Sequence, residues 1–139
     1  MSESSKEIVT IEIPSELGYE RIPIAAVAFM AKKMGFPSDK IEDLKTAVGE
    51  ASTNAVEHGN LLDATAKVLI VLTCQDDVLS IEVFDEGRQP IPDIGKERNE
   101  TRRDNRGWGL GWIRQFVDEA STIASPGRNQ IKMIAYLNR

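Results

Sequence analysis

Strand-like runs in this chain arrive in pairs, and that pairing limits the fold more than any other feature. Runs 66–74 and 78–84 are separated only by Gln75-Asp76-Asp77, and runs 120–125 and 130–137 flank Ser125-Pro126-Gly127-Arg128-Asn129. Connections this short join antiparallel neighbours. Residues 7–13 add a further strand: Ile8, Thr10 and Glu12 alternate with Val9, Ile11 and Ile13, and Pro14 ends the run. Ser15 reads as a cap for the next element. The stretch from Ile22 to Met34 is rich in Ala, Val, Phe and Met and reads as a buried helix, with Pro23 in its first turn and Gly35 closing it. Pro37-Ser38-Asp39 opens a second helix, with Ser38 as cap, that runs to about His58 and stops at Gly59-Asn60. A third helix is expected over about 109–118; Trp108 and Trp112, four apart, read as packing against the core or each other, whereas an exposed Trp108 at the lid mouth would point to a partner contact. The order β-α-α-β-β-loop-α-β-β predicts an α+β fold. It is a two-layer α/β sandwich whose mixed, mainly antiparallel sheet is covered on one face by helices.

A chain of 139 residues fits one domain, taken here as 1–139. A net charge of −5 argues against broad electrostatic binding to nucleic acid or to an anionic membrane. Cys74 is the only cysteine, which excludes an internal disulfide and suits a reducing cytosol. The single histidine disfavours most zinc constellations. The polar start Met1-Ser2-Glu3-Ser4-Ser5 is no signal peptide, and no run is long enough to cross a bilayer. A cytoplasmic protein is the expectation.

On the second helix, Glu50, Asn54 and His58 are spaced by four. Successive members are offset by about 40° and rise about 6 Å. Measured from the apolar face of Ile41, Leu44, Val48, Ala51 and Ala55, the three wind from the solvent edge toward the core boundary, with His58 nearest the core. An amide oxygen there can ligate Mg²⁺, and a carboxylate can take a proton from an attacking hydroxyl. The same spacing also serves a plain solvated helix edge. Asp85-Glu86-Gly87 follows a strand; the carboxylate can accept from an exocyclic amine, and Gly87 lets backbone pass close to a ligand, although strand-ending turns use the same residues. Residues from about 86 to 108 are rich in Pro, Gly and charge, the character of a lid. Arg106-Gly107-Trp108-Gly109-Leu110-Gly111 then enters a helix, where free backbone N–H groups and a guanidinium suit an anion. Neither the Rossmann nor the Walker spacing is present.

Taken together these segments become recognisable. Asp43 to His58 resembles the N box of the GHKL ATPase superfamily, closest to its anti-sigma-factor serine kinases. Asp85-Glu86-Gly87 resembles the G1 box, and Arg106 to Gly111 the G2 box. The resemblance covers nearly the whole chain and implies a Bergerat-type ATP-binding fold. By that resemblance Glu50 is the general base toward a serine or threonine hydroxyl, Asn54 ligates Mg²⁺, and Asp85 binds the adenine amine. His58, Gly87, Arg106, Gly107, Gly109 and Gly111 complete the nucleotide site. The cofactors implied are ATP and Mg²⁺. The partners implied are an anti-anti-sigma (STAS-type) substrate, a sigma factor and a second copy of the chain. Two other functions are consistent with the same boxes: a non-catalytic ATP-binding module that switches partner binding, and a stand-alone ATP domain of a histidine kinase. The chain departs from the family pattern at Gln89, at Trp108, and at Gly127-Arg128-Asn129-Gln130, which stands where a Gly-Thr turn is usual.

Overall fold

The structure is a computed structural model and describes residues 5–94 and 110–138. Strand β1 (Glu7–Pro14) is followed by helices α1 (Arg21–Met34) and α2 (Ser38–Asn54), then by a π-helical turn (Ala55–Gly59). Strands β2 (Lys67–Gln75) and β3 (Val78–Asp85) precede a 3₁₀ turn (Leu110–Gln115), β4 (Glu119–Ser125) and β5 (Arg128–Tyr136). The sheet order is β1-β2-β3-β5-β4. Every pairing between the described strands is antiparallel. Asp76 and Asp77 both take positive φ (53° and 64°), the geometry of a two-residue hairpin turn that matches strand twist.

Alternation along the strands builds the core. Val68, Ile70 and Leu72 of β2, Leu79, Ile81 and Val83 of β3, and Ile131, Met133 and Ala135 of β5 all point to one face and are buried. Val27, Met30 and Ala31 of α1 and Leu44, Ala47, Val48 and Ala51 of α2 close over that face. Removal of this apolar surface from water is the main stabilising term.

Several local expectations change. Helix α1 is not buried all round: Ile22 and Phe29 lie on its outer side, Phe29 at 68% exposure. Ser38 is the first residue of α2 rather than its cap; extended Pro37 holds the cap position without a side-chain bond. Ser15 caps no helix but is fully buried, donating from Oγ to the Ala66 carbonyl at 2.8 Å. The third helix is shortened to a 3₁₀ turn. Phe116 N–H closes on the Ile113 carbonyl, and Asp118 N–H is then captured by Ile134 of β5, so the chain turns into the sheet. Trp112 on that turn is about half exposed, at 51%, because Leu110 and Ile113 take the inward positions. Trp108 lies outside the described residues.

Leu44 is 0% exposed at the middle of the helix–sheet contact. Leu44→Ala is expected to lower stability by about 2–5 kcal/mol, read as a shift in the urea midpoint without loss of cooperativity.

Candidate functional site

The site begins where α2 stops being an α-helix. Asn60 N–H bonds the Ala55 carbonyl at 2.8 Å, five residues back, and Leu62 N–H reaches Val56 at 2.8 Å. The turn is wider, so each residue rotates by less than the ~100° of an α-helix. This corrects the expected winding. Asn54, the last regular residue, is the buried member at 2% exposure, while Glu50 and His58 are both half-buried. His58 swings back from the core boundary, with Nε2 3.7 Å from Glu57. Asn54 Nδ2 donates to Glu50 Oε2 at 3.3 Å, tying two of the three predicted residues together. Burial pushes the Glu50 carboxyl above its usual range; the Asn54 bond opposes this, Glu57 adds to it and His58 opposes it.

The wide turn delivers Gly59 to the end of β3. A Cβ at Gly59 would lie 2.0 Å from Asp85 Oδ2, so only glycine permits this approach. The α2 end and the β3 end therefore line one end of the sheet. Asp85 is buried at 5% exposure. Its Oδ1 accepts from Gly87 N–H at 2.7 Å and from Asn129 Nδ2 at 2.9 Å. Those bonds and the Asn129 backbone N–H favour the carboxylate, but burial outweighs them and pushes its pKa up to about 6. With Oδ1 taken, Oδ2 is the atom placed against Gly59 and suited to accept from a ligand amine.

Gly87 has φ +64°, and a Cβ there would meet Arg128 N at 2.6 Å. Its lack of a side chain thus admits the β5 backbone. The first part of the expected lid is fastened in place. Gln89 N–H bonds Gly59 O at 3.2 Å, Asn129 Nδ2 bonds Gln89 O at 2.7 Å, and Ile91 N–H bonds Asn129 Oδ1 at 3.1 Å. Ile91 and Ile94 are buried, and Arg114 donates to Ile94 O at 3.1 Å. Gly111 is exposed on the 3₁₀ turn, which packs against α2. Arg106, Gly107 and Gly109 lie outside the described residues, as does the rest of the lid from 95 to 108.

Sequence reasoning missed Gly59, Asn60 and Asn129. The first two read as a helix stop, and Asn129 read only as a departure in a turn. No local pattern gave Asn129 away: it lies in β5 opposite Asp85, the last residue of β3, and only the β3–β5 register brings the two together.

An adenine nucleotide fits this donor set: the buried acceptor Asp85 meets Gly59, which ends the wide turn continuing the helix that carries the Asn54–Glu50 pair. Magnesium fits as well, because it takes one or two protein oxygens and keeps phosphate and water for the rest. Asn54 gives its nitrogen to Glu50, which leaves its carboxamide oxygen for such an ion.

Residues 13–135 match the family described as histidine kinase-like ATPase domain, and the chain belongs to that family. Relatives named serine-protein kinase RsbW are similar across nearly the whole chain. That of Bacillus licheniformis is 30% identical, covering 96% of this chain and 88% of its own. That of Bacillus thuringiensis subsp. konkukian is 38% identical, covering 96% and 87%. Among solved structures, the RsbU and RsbW domains of a Mycobacterium tuberculosis protein superpose with a TM-score of 0.71 at 20% identity, over 94% of this chain and 32% of that one. A chain of the SiaB–SiaC complex from Pseudomonas aeruginosa gives 0.59 at 17% identity, over 91% and 88%. These likenesses bear out the resemblance drawn from the three boxes and the predicted fold. No helix among the described residues is long and apolar enough to cross a membrane.

Gly59→Ala drives a methyl into Asp85 Oδ2 and should abolish or sharply weaken ATP binding in calorimetry while the far-UV spectrum stays native. The pH dependence has a definite sign. The Asp85 pKa is raised on folding, so the folded state holds the proton more tightly, and free-protein stability falls as pH rises from about 4 to about 6. A ligand amine needs the carboxylate, so ATP affinity should fall below pH 6, by up to about tenfold per pH unit. Asp85→Asn should weaken ATP binding by roughly 1–3 kcal/mol and lack that component of the pH profile.

Proposed function

We propose that this protein is an ATP- and Mg²⁺-dependent serine/threonine protein kinase. It is also an anti-sigma factor: it phosphorylates an anti-anti-sigma (STAS-type) partner, and it holds and regulates a sigma factor in the cytoplasm. The observation that carries the reading is the Glu50–Asn54 pair on the last turn of α2, the helix whose wide continuation delivers Gly59 to the buried Asp85. The naming of relatives as serine-protein kinases supports the reaction class. Asp85 would hold the adenine amine through Oδ2, with Gly59 keeping that atom clear of any side chain. Asn54 would hold a magnesium ion that neutralises developing charge on the phosphates.

Glu50 would take the proton of the partner's hydroxyl as that oxygen attacks the terminal phosphorus, while the bond from that phosphorus to the bridging oxygen breaks and ADP leaves. Its raised proton affinity suits this, because a base works best when its pKa approaches the working pH. The Asn54 amide fixes Oε2 and so orients the carboxylate. A homodimer belongs to the same reading: the sheet face opposite the helices leaves Ile8 at 55% exposure, and a second copy would cover it.

Glu50→Gln should lower phosphate transfer to the partner by about 10²–10⁴-fold with ATP affinity unchanged. The assay is transfer from labelled ATP to the partner. Wild type that binds ATP and changes its grip on the partner without labelling it would make the domain a non-catalytic switch. Normal transfer by Glu50→Gln would remove Glu50 from the base role.

A further inference from the structure

We propose that Asn60 is a positioning residue for base recognition: its side chain locks the peptide after Asp85 to the residue after Gly59, and so sets the contact on which selection of adenine depends. The inference rests on the reading of Asp85 as the acceptor of the adenine amine. Asn60 is 0% exposed, yet its side chain is fully bonded. Nδ2 donates to Ser15 Oγ at 2.9 Å and to the Lys67 carbonyl at 3.0 Å, while Oδ1 accepts from Glu86 N–H at 2.7 Å. A carbonyl on one side and an N–H on the other fix which way the amide faces, so neither a carboxylate nor an apolar side chain reproduces it. Glu86 also reaches Lys67, the residue whose carbonyl takes the Asn60 amide, its Oε2 accepting from Lys67 N–H at 2.7 Å.

The arrangement is a four-residue clasp. Gly59 meets the Asp85 side chain, and the next residue on one strand of the clasp bonds the next residue on the other. The Asn60 backbone belongs to the wide turn, through its N–H to Ala55 O. One side chain thus spans the gap between the turn that carries Gly59 and the strand that carries Asp85. Hydrogen bonds weaken beyond about 3.2 Å, so a shift of the Asp85–Glu86 peptide by well under 1 Å would take Oδ2 out of line with a bound base.

The two ends of Asn60 do different jobs, and this makes the idea testable. The amide nitrogen braces the ends of β1 and β2, whereas the oxygen alone reaches the site. The experiment measures ATP and ITP affinities of the full chain by calorimetry, because ITP carries a carbonyl where ATP carries the amine. Wild type should prefer ATP by about tenfold or more. In Asn60→Ala that preference should collapse toward unity, mostly through lost ATP affinity. Ser15→Ala, which removes a partner of the nitrogen only, should lower the thermal midpoint and keep the preference. If Asn60→Ala does not fold, Asn60→Ser, too short to reach Glu86 N–H, carries the same expectation. Retention of the wild-type ratio in the folded Asn60 variant, or equal loss for both nucleotides, overturns the positioning role and leaves Asn60 a structural brace. Equal ATP and ITP affinity in the wild type overturns the adenine reading itself, and this inference with it.

Discussion

The site depends on a contact in which one partner has no side chain. Gly59 lies so close to the Asp85 carboxylate that a single methyl would fill the gap. Two elements far apart in sequence must meet there, and their ordinary geometry does not bring them together. An α-helix continued through His58 would send residue 59 elsewhere. The wide turn at Ala55–Gly59 corrects the azimuth, at the cost of poorer helical bonding that tertiary packing offsets. The buried asparagines on either side of Asp85 then hold the strand end against it.

Burial and hydrogen bonding compete at Asp85, and their magnitudes decide the outcome. Several N–H groups converge on the carboxylate and favour its charged form, yet removal from water prevails and the proton affinity rises. Glu50 shows the same contest on a smaller scale, with one amide donor opposing partial burial. The two acids therefore reach a raised proton affinity by similar means in different settings. Asp85 is walled in, whereas Glu50 is half-buried and keeps one edge open.

Much of the architecture was legible because strand alternation is a strict period. Val68, Ile70 and Leu72 could only share a face, and the short turns forced antiparallel neighbours. The pairing of β3 with β5 was not legible, since no local pattern specifies which hairpin meets which. In the site, spacing placed Glu50 and Asn54 on one helix edge, and the structure joins them directly. Extrapolating that period through His58 failed because it assumed a uniform helix, and nothing in Ala55-Val56-Glu57-His58-Gly59 announces a change of pitch. The roles of Asn60 and Asn129 were hidden for another reason. Each is defined by partners distant in sequence, Ser15, Lys67 and Glu86 for Asn60 and the 85–91 stretch for Asn129, and a local reading sees only residues that favour turns. Ser15 was misread in the same way, as a cap rather than a buried link.

The fastening of residues 86–94 bears on how the chain divides labour along its most charged stretch. Gln89, Ile91 and Ile94 are stitched to β5, to β4 and to the 3₁₀ turn, so the backbone leaving Asp85 behaves as an extension of the sheet. Because Asn129 serves Asp85, Gln89 and Ile91 with one side chain, the acid and the segment that follows it form a single mechanical unit, and a change at either is felt by the other.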